Sequence, residues 1–208
     1  MSKFQKSTII LGAIYLVFTI ASMFSNIILE AGWPFEYTIW SAINGTLYTT
    51  AGASIALLLL FNAMQHKSKA AKTAAIIGGV WLVVLVCSRC INIVGNYYRD
   101  LECAHDVYRL FSDAAYTLYI FASVLQLIAI GFFADSHRKN KAILTSSIVC
   151  IVVLLFRLLF SHFGWSLLEP AIGSDVFIII SRTLAVLCAL AICSVFVCAA
   201  TIKNKNYE

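Results

Sequence analysis

Apolar residues run along this chain in six long blocks separated by short polar or charged stretches, and none of the blocks alternates at a period of two. At 1.5 Å per residue a block of about 20 residues crosses the roughly 30 Å of bilayer hydrocarbon as an α-helix. Lipid allows only helices or a closed barrel, because every backbone polar group must be satisfied within the protein, and barrel strands would alternate. The pattern therefore predicts an all-α, polytopic integral membrane protein. Its six transmembrane helices fall at about residues 8–29, 38–64, 73–97, 107–134, 142–163 and 176–200, forming three hairpins in a single membrane domain over 1–208.

The first block follows Lys3 and Lys6, as a signal peptide's would, but it exceeds the apolar core of about 7 to 15 residues and the segment IILEAGWPFE offers no small-residue cleavage site. An uncleaved span is expected. Glu30, Gly32, Pro34 and Glu36 are expected to break the helix, with Trp33 at interfacial depth.

Composition agrees with the pattern. Hydrophobic residues make up 61% of the 208, and the mean hydropathy of +0.89 is too high for a soluble domain. A net charge of +5 raises the question of nucleic acid, but the basic residues sit in short clusters between spans, with no aromatic-basic surface stretch to hold bases. No nucleic-acid partner is expected. The charge instead sorts by side: Lys3, Lys6, Lys67, Lys69, Lys72, Arg138, Lys139, Lys141, Lys203 and Lys205 fall on one side, while most acids, among them Asp100, Glu102 and Asp106, fall on the other. The positive-inside rule then places both termini in the cytoplasm. Of the 7 cysteines only Cys103 lies in a loop, so no disulfide between outer loops is expected and the thiols read as small packing groups.

The informative departures are ionisable groups inside spans, where a charge costs about 3 to more than 10 kcal/mol unless it snorkels or finds a partner. Arg89 lies about 16 residues into its span and Arg157 about 15, while Asp113 and Arg182 lie about two turns in from the opposite end. All four reach one depth in the outer third of the bilayer. Asn26, Asn44, Asn92 and His162 fall near it, whereas the cytoplasmic halves hold little beyond Gln126, Asn62 and some hydroxyls. This layer predicts an outward-facing pocket in which Arg89, Arg157 and Arg182 hold an anion, Asp113 orients Arg89, and Asn44 and Asn92 contribute amides. Guanidinium suits phosphate or carboxylate because its forked donors match their oxygens. The competing reading is that the arginines snorkel to lipid phosphates while Asp113 pairs locally.

Other motifs carry less. Cys87 and Cys90 form a CxxC, but two thiols without a second ligand pair do not make a structural zinc site. Neither a phosphate-binding glycine loop, a HExxH helix nor a nucleophile elbow occurs, so no metal and no cofactor is expected. A faint threefold hairpin repeat aligns Ser41, Ser112 and Ser181, a pattern that marks sites at repeat interfaces in transporters and that chance also produces.

The segments SVLQLIAIGFFADSHRKNK and VVLLFRLLFSHFGW, with Gln126 and Arg157, resemble the glutamine helix, basic loop and arginine helix of the fungal lipid-translocating exporter (aminocholesterol-resistance) family. The likeness covers about the last 90 residues. The family's second arginine and its following glutamate have no counterparts here, and Ser181 and Arg182 stand where its aspartate is expected. The resemblance implies lipid handling or stress resistance at a plasma membrane; that family usually has seven spans, so six with an internal amino terminus would correspond to loss of its first.

Three readings follow from the residues. The first is a protein that binds, and translocates, an amphipathic lipid or small anion through the outward pocket. The second is a non-transporting membrane organiser or receptor-like sensor, and the third an intramembrane lipid-modifying enzyme built on Asp113, His105 and His162. Short loops leave no soluble domain for a large partner, so partners are expected to be membrane lipid, a small amphipathic ligand or a second copy associating through membrane helices.

Overall fold

The computed structural model describes residues 3–30, 36–101, 105–164 and 169–201. Gly32, Pro34, Trp33, Glu102, Cys103, Lys203 and Lys205, on which parts of the loop and charge reading fall, lie outside them. The described residues form α1 (Lys3–Glu30), α2 (Tyr37–His66), α3 (Lys69–Asp100), α4 (His105–Ser136), α5 (Lys141–Phe163), a single turn α6 (Glu169–Ile172) and α7 (Ser174–Ala200). Six of these helices are long and apolar enough to cross a membrane. The expected spans are all present, each inside a longer helix, because the interfacial turns beyond the hydrocarbon remain helical. The turn α6 was not anticipated.

The helices close into a ring in chain order. Each of α1 to α4 packs on the next, α5 packs on α7, and α7 returns to α1. Hydrocarbon provides no hydrophobic drive to bring helices together, so close approach depends on small residues and interhelical hydrogen bonds. A Cβ on Gly95 would meet Phe111 Cβ of α4 at 3.0 Å, and one on Gly12 would meet Phe196 Cβ of α7 at 3.1 Å. Ser88 Oγ donates to Ala115 O across α3 and α4 at 2.8 Å, and Ser146 and Ser194 Oγ atoms lie 2.7 Å apart across α5 and α7. Apolar side chains point outward around the ring, Ile76, Val83, Leu110 and Val197 among them.

The helix ends are capped by local chemistry. Ser68 accepts from Ala71 N at 3.1 Å and Asn140 from Ile143 N at 3.4 Å, starting α3 and α5. Lys67 adopts φ 37° to end α2, its N–H donating to Ala63 O at 3.3 Å. The start of α2 is capped from another helix: Asp100, last residue of α3, accepts from Thr38 N at 2.8 Å, Thr38 Oγ at 2.6 Å and Tyr37 N at 3.2 Å.

The two halves of the ring differ. Toward the basic loops its centre is filled by Leu58, Leu59, Ile130, Phe133, Cys150 and Phe196, all buried. Toward the other end the centre is hollow.

Candidate functional site

The hollow is a cavity of about 180 Å³ lined by side chains from all six long helices. Its floor is made by Tyr15, Ile55, Trp81 and Ile192, with Gln126 beside them. Arg89 of α3 and Arg157 of α5 line the wall above. Counted from the basic ends of their helices, Lys69 and Lys141, they stand about 20 and about 16 residues along, or roughly 30 and 24 Å. Asn26 and Asn44 lie at the far end.

Aromatic rings hold the guanidinium groups. The Arg89 guanidinium carbon lies 4.5 Å from the centre of the Tyr48 ring and 5.6 Å from that of Tyr119. Tyr48 and Tyr119 also interact with each other and with Arg157, so two tyrosines from α2 and α4 join the arginines of α3 and α5. A ring face attracts a cation, by about 2 kcal/mol or more once water is removed. It does not neutralise the charge. Arg157 additionally contacts the Cys188 thiol, whose Sγ donates to Val153 O at an S–O distance of 3.7 Å. Arg89 backs onto α2 where Gly45 leaves room, a Cβ there lying 3.7 Å from Arg89 Cβ, and its Nε is buried without a hydrogen-bond partner.

No carboxylate lines the cavity among the described residues. Two cations therefore share a small space within an apolar ring, without an acidic counter-charge. An uncompensated buried charge costs several kcal/mol, and a bound anion is the simplest way to offset it.

At the mouth, Asn44 Oδ1 accepts from Ser22 Oγ, and Asn44 Nδ2 donates to Asn26 Oδ1 at 3.3 Å, tying α1 to α2. Asn92 faces another cluster. Its Nδ2 lies 3.5 Å from Ser41 Oγ, which also accepts from Asn96 Nδ2, so Asn92 joins α2 to α3 outside the cavity lining.

The structure thus brings Arg89, Arg157 and Asn44 to one cavity and leaves three expected site residues elsewhere. The Arg89–Asp113 pair does not form: Asp113 is exposed, since it stands two residues and about 200° around α4 from buried Ala115, which packs on α3. Arg182 is exposed for the same reason, two residues from buried Leu184 on α7. Of the groups considered for an intramembrane enzyme, His105 and His162 are also exposed and neither pairs with Asp113; His162 Nδ1 instead lies 3.4 Å from Tyr116 OH. The aligned Ser41, Ser112 and Ser181 do not share a site either, Ser41 being buried against Asn96 and Ser181 exposed.

Tyr15, Tyr48, Trp81 and Tyr119 were missed as site residues. A signal for them existed in their position: aromatics with a polar tip gather at the interface, and one placed mid-span needs an internal partner. Compared with family models, with curated proteins and with solved structures, the chain has no match.

Proposed function

We propose that this multi-pass membrane protein binds the anionic group of an amphipathic lipid or of a small organic anion between Arg89 and Arg157, and moves it across the membrane. The observation that carries this reading is the convergence of two guanidinium groups on a cavity whose described lining contains no carboxylate. Its volume of about 180 Å³ is below the roughly 300 Å³ at which drug-sized pockets begin. That suits a phosphate- or carboxylate-bearing headgroup, with any acyl chain left outside the ring. The charge sorting of the loops supports a mouth facing away from the cytoplasm. The likeness of the segments around Gln126 and Arg157 to fungal lipid exporters supports lipid as the class and a plasma membrane as the location.

A second reading has its own observation. The apolar plug of Leu58, Leu59, Phe133 and Phe196 closes the basic half of the ring, as expected for a receptor or organiser that binds its lipid without passing it on.

Native mass spectrometry of the detergent-purified protein tests the binding common to both. An anionic lipid or small-anion adduct retained by the parent and by Arg182→Ala, but lost from Arg89→Ala and Arg157→Ala, supports the site. Adducts that survive both cavity substitutions refute it. Removing one charge-assisted contact, worth about 1.5–3 kcal/mol, should weaken binding about tenfold to hundredfold.

A further inference from the structure

A second concave site lies at the opposite, basic end of the ring, and the central cavity plays no part in it. The end of α2, the start of α3, the α4–α5 connection and the start of α5 surround an open cleft of about 860 Å³. Its charged and titratable lining consists of His66, Asp135, His137, Arg138, Lys139 and Lys141. Three permanent cations against one carboxylate leave a balance of +2 before either imidazole is counted.

Three further observations suit an anion. The first turns of α3 and α5, begun by Ser68 and Asn140, both border the cleft, and the amino end of a long helix carries partial positive charge and outward N–H groups. His137 is only 6% exposed, yet its Nε2 has no hydrogen-bond partner. Its Nδ1 meets Ser136 Oγ at 2.9 Å and Phe133 O at 3.2 Å, so the ring's local contacts are on that side and Nε2, when it carries a proton, is the donor left for an anion. Finally, the His66 ring stands edge-on to His137 at 4.6 Å between centroids, placing a second imidazole on the same wall.

A basic loop cluster alone would reflect membrane topology and nothing more. Here the cluster lines a concavity together with two helix starts and a buried imidazole whose Nε2 has no partner. We infer that this cleft is a binding site for a phosphomonoester dianion, with Lys139, Lys141 and Arg138 holding its oxygens and the two histidines completing the wall. The +2 balance selects a dianion over the single charge of a phosphodiester. The cleft lies just beyond the helix ends, at headgroup level, so the phosphomonoester can belong to a membrane lipid or to a soluble metabolite.

The test uses the full chain in nanodiscs and follows its thermal unfolding midpoint. The discs contain phosphatidylcholine alone, phosphatidylcholine with phosphatidic acid, or phosphatidylcholine with phosphatidylglycerol matched in total charge; glycerol phosphate is titrated separately into the first. A rise with phosphatidic acid that exceeds the rise with phosphatidylglycerol supports a lipid phosphomonoester, and a saturable rise with glycerol phosphate supports a soluble one. Either response should weaken about thirtyfold in the Lys139→Ala, Lys141→Ala double variant, at about fivefold per lost cation. Both lysines are exposed, so the variant keeps the fold. Equal responses to the two lipids, a response unchanged in the double variant, or no response in any arm overturns the inference. All arms are run in the Arg89→Ala background as well, which weakens the central cavity's own anion binding; there the response should keep its dependence on Lys139 and Lys141, which separates this site from the central cavity.

Discussion

The Arg89 guanidinium carbon stands 4.5 Å from the centre of the Tyr48 ring, so a cation of α3 rests on an aromatic face of α2 rather than on the carboxylate of Asp113. A ring partner steadies the guanidinium and leaves its charge available. Tyr48→Leu should therefore weaken anion binding about two- to thirtyfold, the equivalent of about 0.5–2 kcal/mol of cation–π attraction. Tyr48→Phe keeps the ring and should retain most of the affinity. Titration of both variants by native mass spectrometry checks the difference; equal loss in the two would assign the effect to the hydroxyl that meets Tyr119.

The cap that Asp100 places on α2 is a stability element separate from the cavity. Asp100→Ala removes the acceptor for Tyr37 N, Thr38 N and Thr38 Oγ, and should cost about 1–2 kcal/mol. Asp113→Asn alters an exposed carboxylate that forms no pair with Arg89, so it should stay within about 0.5 kcal/mol of the parent. Thermal unfolding in detergent measures both. A larger effect at Asp113 than at Asp100 would contradict the packing described for α3 and α4.

Which parts of this arrangement could be read beforehand follows from how membrane helices differ from soluble ones. Span number and the depth of Arg89 and Arg157 come from counting residues, and counting works because rise per residue is constant. The direction a residue faces around its helix does not come from counting. A helix apolar on every side lacks the polar stripe that marks the outer face of a soluble helix, so Arg182 and Asp113 shared the depth of Arg89 with nothing to show that they face outward. The Asp100 cap was equally hidden, since it joins residues more than sixty positions apart. Tyr48 and Tyr119 were readable in principle, as polar-tipped rings in mid-span.

Helix spacing can be tested at two glycines of α3. A Cβ on Gly95 meets Phe111 Cβ at 3.0 Å, and no rotamer moves a Cβ, so Gly95→Ala must push α3 and α4 apart. About 1–3 kcal/mol of destabilisation is expected. A Cβ on Gly79 meets nothing within 4 Å, and alanine favours a helix over glycine by about 1 kcal/mol. Gly79→Ala should leave the unfolding midpoint unchanged or raise it.

His137 provides a pH test at the basic end. Burial lowers its pKa below the usual histidine value, the hydrogen bond to Phe133 O opposes this, and the neighbouring His66 lowers it further. Because the folded state disfavours the proton, the unfolded chain binds more of it as pH falls. The stability due to neutral His137 is thus complete above about pH 6.5 and is lost as pH drops through the lower folded value. Around it, His66 projects from α2, Asp135 from α4, Arg138 and Lys139 from the connection and Lys141 from α5. The unfolding midpoint should fall with acidification below about pH 6.5, and His137→Gln should flatten that slope. A phosphomonoester in the cleft should also reduce it, by favouring the imidazolium in the folded state.

Movement of the ligand and mere binding of it part company at the plug. Leu59 and Phe133 are 2% and 1% exposed and close the basic half of the ring, so a mover must separate α2 from α4 there, whereas a receptor need not. Asn62 Nδ2 and Ser136 Oγ lie 3.2 Å apart across that same seam. With the native cysteines replaced, Asn62→Cys and Ser136→Cys joined by a short thiol cross-linker should hold it shut. Anion binding at Arg89 and Arg157 should persist in the bridged protein, because the bridge lies on the other side of the plug from the cavity. Lipid or anion flux in proteoliposomes should fall to the level of empty vesicles and return when a cleavable linker is cut. Flux that continues through the bridged protein would show that the seam is not the route, and a parent protein that binds but gives no flux would favour the receptor reading.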